Sequence, residues 1–347
     1  MPEDKSLYCL LFLTRRCNID CTYCHMEHDG YEDMTEERLA RAMKLFLGVN
    51  PNVCLHLFGG EPLLRFDLIE WILEHAAKHY ADRNINYMIT TNGLLLRDRY
   101  LDYLLEHGVR VMLSLDGSFD SQKDWRRTIG GDGRRAYDRI VENLAELNRR
   151  NVDYFVNMVV SPENVDRMEE NVLFFRDLGV RRLQVTYELG AHWCEPFRSA
   201  YVRGFREVIE KYDGQAEFSL QYGPSSEPVL GNMTFIVDVN GDMYRGCAVV
   251  LEKTMPRFNE VVRIPNLDEQ RDLTSFVRSR DEQVRDFLRR TRVAENDYKL
   301  LRSNMHLGYL LRREMFDMQA QRAEHPGQPA APRPVAQPSA GRSPSAP

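Results

Sequence analysis

The order of strand-forming and helix-forming segments constrains this fold more than any other feature. From Leu7 to about Glu188, short apolar segments rich in β-branched and aromatic residues alternate with longer segments of helical periodicity. The predicted strands are Tyr8–Leu13, Val53–Phe58, Ile85–Thr90, Val109–Leu115, Tyr154–Val160 and Leu183–Tyr187. The predicted helices between them are Glu36–Leu47, Asp67–His79, Asp98–His107, Tyr137–Arg149 and Val165–Leu178. Since six such units are too few for a closed eightfold barrel, we predict an α/β fold, a partial (β/α)6 TIM-type barrel.

The pattern changes after Glu188. A helical segment, about Pro196–Tyr212, precedes a Gly/Pro/Ser-containing link at 223–226, and two β-rich segments then flank the turn Asn240-Gly241. An Asn-Gly pair between such segments predicts a β-hairpin. Charged helical segments follow at about Leu273–Arg290 and Glu295–Ala323, and the Pro-rich tail from His325 is predicted to be disordered. These patterns predict a core of residues 1–195, an extension of residues 196–323 and a tail of residues 324–347.

Composition narrows the class of protein. The net charge of −6 gives no support for a phosphate-binding surface, so nucleic acid is not a predicted partner. The apolar segment Leu7–Leu13 is too short to cross a membrane, and no cleavage site of an export signal follows it. Seven cysteines are an odd number and too few for a disulfide-stabilised scaffold. We therefore predict a cytoplasmic protein without a membrane partner.

Three of these cysteines lie within eight residues. Cys17, Cys21 and Cys24 follow directly after the first predicted strand, where a parallel barrel places its active-site loops. Thiolates bind iron–sulfur clusters, and three of them leave one iron of a 4Fe–4S cluster open to another molecule. Zinc is the alternative, since His25 or His28 would complete a four-ligand site.

The spacing Cys17-x-x-x-Cys21-x-x-Cys24, with Tyr23 before the last cysteine, resembles the radical S-adenosylmethionine (SAM) superfamily. A second match follows the second predicted strand, where the sequence reads Gly59, Gly60, Glu61 and Pro62. The resemblance implies one 4Fe–4S cluster whose open iron is chelated by SAM. Glycines permit a close backbone approach, and Glu61 would accept a hydrogen bond from the amino group of SAM. Tyr23 would shield the cluster, contact the adenine, or only pack.

Later strand ends carry further matches. Asn92 stands in Thr91-Asn92-Gly93, and Ser114 begins a Ser-x-Asp-Gly segment that resembles the sulfatase-maturase and peptide-modifying branch. The resemblance implies that Asn92 and Ser114 contact SAM, together with Arg126 or Arg127, which would bind its carboxylate or ribose. The spacing does not decide between the two arginines, and ordinary solvated roles for these positions stay open.

The segment from Phe235 to Cys247 resembles the hairpin that opens the SPASM or twitch module of that branch. The module's other cysteines are missing, because none lies between Cys194 and Cys247 or after Cys247. The module is therefore predicted to be degenerate, with Cys247 a structural thiol and Cys194 either inert or involved in substrate handling. Cys9 and Cys54 fall within predicted strands and are expected to be buried.

The resemblance implies reductive cleavage of SAM to a 5′-deoxyadenosyl radical, which abstracts hydrogen from a peptide or protein side chain. The electron donor would be a reduced flavodoxin or ferredoxin. Modification of a small natural product and a non-catalytic metal-binding or electron-transfer role are the alternatives. Residues near the later strand ends are candidate substrate contacts: Asp116, Tyr187, Glu188, His192 and Trp193.

Overall fold

Twelve strands, nine α-helices and two short 3-10 helices (Pro62–Arg65 and Val165–Arg167) are present in the computed structural model, which describes residues 6–215, 217–222, 234–246, 251–273 and 295–324. The strands are β1 (Leu7–Thr14), β2 (Ile19–Cys21), β3 (Asn52–Gly59), β4 (Asn84–Thr91), β5 (Arg110–Ser114), β6 (Arg126–Thr128), β7 (Tyr154–Val160), β8 (Arg182–Tyr187), β9 (Ser219–Leu220), β10 (Phe235–Val237), β11 (Met243–Arg245) and β12 (Arg263–Ile264). The helices are α1 (Glu36–Val49), α2 (Phe66–His79), α3 (Asp98–Glu106), α4 (Phe119–Gln122), α5 (Gly133–Arg149), α6 (Met168–Asp177), α7 (Glu195–Tyr212), α8 (Pro256–Val262) and α9 (Glu295–Glu324).

Ten of the strands form one sheet in the order β12-β11-β10-β1-β3-β4-β5-β7-β8-β9. The six strands predicted from the sequence are neighbours in this sheet, follow chain order and pair in parallel. The two ends of the sheet, β12 and β9, do not pair with each other, so the barrel is open. The predicted partial barrel is confirmed.

Local chemistry explains where the helices begin. The Thr35 side chain accepts a hydrogen bond from the backbone N–H of Arg38 and caps α1, and Asp132 caps α5 in the same way. Pro196 occupies the first turn of α7, where its missing N–H costs nothing. The apolar sides of these helices cover the outer face of the sheet, leaving its inner face for the site.

The C-terminal hairpin extends the same sheet. β10 and β11 form the predicted antiparallel pair, and β10 also pairs in parallel with β1. Arg15, which is buried at the end of β1, forms ion pairs with Asp238 and Glu252 and lies 3.9 Å from the centre of the Tyr31 ring. The chain after residue 196 therefore supports the segment that carries the cysteines, while the division into separate domains stays a prediction.

A second, two-stranded sheet was not predicted. β2, which begins two residues after Cys17, pairs in antiparallel fashion with β6, so that Cys21 lies opposite Arg126. This pairing joins the cysteine loop to the segment that follows the fourth predicted strand. It brings together two motifs that lie about a hundred residues apart in the sequence.

Some predictions fall outside the described residues: the link at 223–226, most of the helix predicted at 273–290, Cys247 and the tail after residue 324. Within the described ranges, the helices are too short or too polar to span a bilayer.

Candidate functional site

A cavity of about 570 Å³ opens on the inner face of the sheet, towards the carboxyl ends of the parallel strands. Active sites of barrel enzymes lie at this end. The cavity is lined by most of the residues that the sequence singled out, namely Cys17, Cys21, Tyr23, Cys24, Gly59, Gly60, Asn92, Ser114, Arg126, Tyr187 and Glu188. The remaining predicted contacts, Glu61, Pro62, Asp116, Arg127, His192 and Trp193, are not among its lining residues.

The three clustered thiols all line this cavity. Burial raises the pKa of Cys17 to about 11 and that of Cys21 to about 12. Burial also acts to raise the pKa of Cys24, but hydrogen bonds with His28 (3.4 Å) and the Met26 backbone, together with the charges of His28 and Lys253, lower the pKa of that thiol. Two of the thiols therefore need a nearby positive charge to ionise near neutral pH, and a bound metal centre supplies one.

The arrangement of the three thiols bears on the kind of metal centre that they could bind. Among the described residues, no three His, Cys, Asp or Glu side chains come close enough together to bind one metal ion. The thiols nevertheless surround one cavity. Three thiols around one cavity fit a 4Fe–4S cluster, in which each thiolate binds a different iron, and His25 and His28 of the zinc alternative line the same cavity.

The glycine pair packs against the backbone that leads into the cysteine loop. A Cβ atom on Gly60 would lie 2.2 Å from the carbonyl oxygen of Arg16, and one on Gly59 would lie 2.1 Å from that of Thr14. Gly59 also has a φ of +147°, which side chains rarely permit. The Gly60 N–H donates to the Thr14 carbonyl at 2.9 Å. The glycines therefore allow β3 and the cysteine loop to approach closely.

Glu61 is fully buried and braces the same region. Its carboxylate accepts hydrogen bonds from the backbone N–H groups of Leu63 (3.0 Å) and Asn92 (2.8 Å) and from the hydroxyl of Thr91 (2.9 Å). Burial raises its pKa to about 7 against these three hydrogen bonds, which lower it. The carboxylate thus connects the end of β3 with the end of β4 and is not among the lining residues of the cavity, and its contact with the amino group of SAM stays a prediction.

Tyr23, Asp116 and Arg126 form a buried polar group beside the cysteines. The Tyr23 hydroxyl donates to Asp116 at 2.5 Å and accepts from Arg126 at 2.5 Å, while Arg126 and Asp116 lie 3.7 Å apart. Burial raises the pKa of Asp116, and the guanidinium of Arg126 opposes this shift. Asp116 also accepts from the N–H of Val159 at 2.9 Å, so it orients the other two rather than facing the cavity.

The structure distinguishes the two candidate arginines. Arg126 is buried at the cavity, whereas the Arg127 side chain is 56% exposed and lies 3.4 Å from Asp20 at the surface. The Nε of Arg126 is buried without a partner among the described residues, and so is the side-chain nitrogen of Asn18 beside Asn92. These orphaned donors fit a ligand that carries a carboxylate or hydroxyl groups, as SAM does.

The floor of the cavity holds a hydrogen-bond network that the sequence did not predict. Tyr8 donates to Nδ1 of His56 (2.7 Å), Nε2 of His56 donates to Thr90 (2.6 Å), and Thr90 donates to the sulfur of Met112 (3.3 Å). Burial lowers the pKa of His56 to about 3, so its ring is neutral. The polar residues at alternate strand positions were the only signal for this network.

The far side of the cavity is formed by β7 and β8. Asn157, Gln184 and Thr186 face inwards there, and Glu188 stands at the end of β8 with its carboxylate 3.5 Å from the ring of His25. Trp193 is fully buried against Tyr187, so it supports this side without contacting the cavity. The inward amides were not among the predicted contacts, because single polar residues within apolar strands form no motif.

The remaining cysteines lie elsewhere. Cys9 is fully buried, Cys54 and Cys194 are partly exposed, and none of the three lines the cavity.

Comparison with known proteins finds a matching family model and several relatives. Residues 11–175 match the model of the radical SAM superfamily. A probable GTP 3′,8-cyclase of Methanopyrus kandleri is 29% identical over 293 residues, which cover 78% of this chain and 88% of that protein. A PqqA peptide cyclase of Ruegeria pomeroyi is 32% identical over 229 residues, which cover 64% of this chain and 58% of that protein. An uncharacterized protein of Methanocaldococcus jannaschii is 28% identical over 180 residues, covering 52% of this chain and 62% of that protein. The chain thus spans about 60% of the length of the last two relatives.

Solved structures share the fold. Native anSMEcpe with bound AdoMet and Kp18Cys peptide has a TM-score of 0.72 at 19% identity, with 92% of this chain and 98% of that chain covered. Streptococcus suis SuiB bound to precursor peptide SuiA has a TM-score of 0.53 at 14% identity, with 88% and 70% covered.

Proposed function

We propose that this chain, which belongs to the radical SAM superfamily of enzymes, abstracts hydrogen from a peptide or protein substrate. The cofactors of the superfamily are a 4Fe–4S cluster and SAM. The single observation that carries the proposal is the charge of the cavity. Its described lining combines three thiols with a single arginine and no lysine.

In this proposal Cys17, Cys21 and Cys24 hold the cluster. When bound and reduced, the cluster would supply the one electron needed to cleave a carbon–sulfur bond of SAM to methionine and a 5′-deoxyadenosyl radical, which would take the hydrogen atom from the substrate. Gly59, Gly60 and Glu61 fix the backbone on which the cysteine loop rests. A reduced flavodoxin or ferredoxin would deliver the electron, in a reducing cytoplasm.

Arg126 is assigned to the carboxylate or a ribose hydroxyl of SAM, because Arg126 lines the cavity and its buried Nε has no partner among the described residues. Tyr23 and Asp116 hold its guanidinium in place through their hydrogen bonds. Asn92 and Ser114, which line the cavity beside the cysteines, complete the proposed SAM contacts. Arg127 is left out of this set because its side chain points to solvent.

The cavity charge favours a peptide over a nucleoside triphosphate. Among the described lining residues, Arg126 is the only arginine or lysine, and Tyr23 and Asp116 already engage it. The carboxylate of Glu188, the one that lines the cavity in the described part of the chain, would repel phosphates. A triphosphate needs several cationic or amide donors, whereas a peptide offers uncharged amides and occasional cationic side chains. The PqqA peptide cyclase among the relatives accords with this substrate class.

The test uses the full chain, reconstituted with iron and sulfide without oxygen and reduced with dithionite. One reaction contains SAM and a uniformly deuterated peptide pool, made by digesting protein from cells grown in deuterium oxide. A parallel reaction contains SAM and ribose-deuterated GTP. We expect deuterium in the 5′-deoxyadenosine only with the peptide pool. Deuterium from GTP alone, or from neither substrate, would refute the peptide assignment, the latter result favouring a small natural product.

A further inference from the structure

The inner face of β7 and β8 carries uncharged polar side chains with unused hydrogen-bonding capacity. Ser114 pairs with Asn157 across β5 and β7, and Asn157 pairs with Gln184 across β7 and β8. The three residues therefore form one row across neighbouring strands. All three line the cavity. Each is partly exposed rather than sealed within the core.

The two amides in this row are not fully used by the protein. The Oδ1 of Asn157 accepts a hydrogen bond from the hydroxyl of Thr186 at 3.2 Å, and that hydroxyl also lies 3.3 Å from the carbonyl oxygen of Met158. The Thr186 contact fixes which way the Asn157 amide faces. Neither the NH₂ of Asn157 nor any polar atom of the Gln184 amide bonds to another described residue.

The floor of the cavity, beside this row, differs in how its polar groups are paired. In the network of Tyr8, His56, Thr90 and Met112, each hydroxyl or ring proton is donated to the next member. The network is therefore satisfied and neutral. A ligand polar group in this part of the cavity finds its free partners on β7 and β8, and those partners can both donate and accept.

On this basis, and resting on the proposed function, we propose that Asn157 and Gln184 form a substrate subsite that binds an uncharged amide group of the peptide, with Thr186 as a positioning residue. A carboxamide presents one acceptor and two donors, which complement a backbone or side-chain amide at similar distances. Placing such polar groups at a cavity inside a barrel costs free energy unless a ligand or water satisfies them.

The adenosyl part of SAM carries similar donors and acceptors and is the rival occupant. The position of the row favours the peptide. Cys17 follows β1 and Gly60 follows β3, whereas Asn157 and Gln184 lie on β7 and β8, separated from them in the sheet by β4 and β5. The Glu188 carboxylate lines the cavity and lies 3.5 Å from His25 of the cysteine loop, so it disfavours a negatively charged ligand group nearby.

The experiment compares full-length wild type with Asn157→Leu and Gln184→Met, which replace each amide by an apolar side chain of similar size. The probes are the deuterated peptide pool at a limiting concentration, read as deuterium in 5′-deoxyadenosine, and SAM itself, read by equilibrium binding. Each substitution is expected to lower deuterium transfer by about three- to tenfold, the usual value of a lost hydrogen bond. The Kd of SAM should stay within about twofold, since neither Asn157 nor Gln184 is among the proposed SAM contacts. Leu10→Met, an apolar exchange at the same cavity, should change neither readout.

The outcomes separate the subsite from the proposed function. If wild type transfers deuterium from the pool and both variants do so equally well, the subsite is refuted and the peptide function stands. If both variants weaken SAM binding by the factor by which they slow transfer, the row binds the adenosyl group instead. If wild type takes no deuterium from peptides, the proposed function fails and the subsite fails with it. Iron content and circular dichroism of the variants must match those of wild type. Thr186→Val, which frees the Asn157 amide to rotate, is an independent variant with a smaller expected loss of deuterium transfer.

Discussion

The two sides of the cavity satisfy their polar groups in opposite ways. On the side of β1, β3 and β4, Glu61 accepts three internal hydrogen bonds, and the glycine pair contacts the backbone of the cysteine loop. On the side of β7 and β8, the amides of Asn157 and Gln184 retain unused donors and acceptors. A rigid, self-satisfied frame suits a cofactor of constant shape, whereas open hydrogen-bonding capacity suits a ligand that arrives and leaves.

The largest effect on this comparison is expected from removing a cluster ligand. Cys21→Ala should abolish cluster binding, because the remaining two thiols leave two irons without protein ligands. Iron and sulfide content and the visible absorption spectrum of the anaerobically reconstituted protein measure the loss. Cys54→Ala is the matched control, since Cys54 is a free thiol on β3 away from the cavity. Equal iron in wild type and Cys21→Ala would remove Cys21 from the proposed ligands.

The next largest effect should follow from removing the buried guanidinium beside the cysteines. Arg126→Met leaves Asp116 as a buried carboxylate without its cation and should destabilise the fold by about 3–5 kcal/mol at pH 8. The loss should shrink at pH 5, where Asp116 is more readily protonated, because burial already raises its pKa. Chemical denaturation at the two pH values measures both quantities.

Arg127→Met supplies the control for that variant. Its side chain is exposed and its contact with Asp20 is at the surface, so its loss should cost less than about 1 kcal/mol. If the two arginine variants were equally stable, the buried Tyr23–Asp116–Arg126 group would not contribute as the geometry indicates.

The sequence predicted the self-satisfied side far better than the open side. The alternation of apolar segments located all six core strands, because burial on both faces of a parallel sheet leaves a strong signal. The motifs at Cys17 and Gly59 were visible because several residues have to cooperate within a few positions. Asn157 and Gln184 come together only through strand register, and a lone polar residue in a strand carries no signal of its partner.

Pairing between distant segments was equally hidden. The short strands β2 and β6, which place Cys21 opposite Arg126, have no length or periodicity that a pattern could detect. Their pairing resolves the choice between the two arginines that spacing left open. The motif that contains Glu61 was recognised in the sequence. The orientation of its carboxylate depends on donors at Thr91 and Asn92, which only the folded chain brings near.

A backbone substitution tests how rigid the self-satisfied side must be. In Gly60→Ala the new Cβ would lie 2.2 Å from the Arg16 carbonyl oxygen and 2.5 Å from that of Arg15, so backbone must move. We expect a loss of about 3 kcal/mol of stability together with reduced iron content. Gly48→Ala is the control, because no atom lies within 4 Å of its Cβ and alanine favours helix α1 by up to about 1 kcal/mol. Thermal unfolding and iron analysis distinguish the two.

The smallest effect concerns the buried carboxylate that links β3 to β4. Because the pKa of Glu61 rises from 4.5 to about 7 in the folded state, the folded protein binds more protons than the unfolded chain between these values. Its contribution to stability is therefore greatest below pH 4.5 and falls by up to about 3 kcal/mol as the pH rises to 7.

Glu61→Gln should remove that part of the pH dependence, since a carboxamide does not titrate. At pH 8 Glu61→Gln avoids the cost of a buried ionised carboxylate. Its carboxamide, however, either places an NH₂ group against the Asn92 N–H or leaves another donor without an acceptor, and this lost hydrogen bond offsets part of the gain in stability by about 1–2 kcal/mol. Urea denaturation from pH 4.5 to 8 measures the difference, with the exposed Glu37→Gln as the control whose profile should follow wild type. Parallel profiles for wild type and Glu61→Gln would show that the carboxylate is ionised throughout, and the brace would then be an ordinary charged cap of the turn that begins at Pro62.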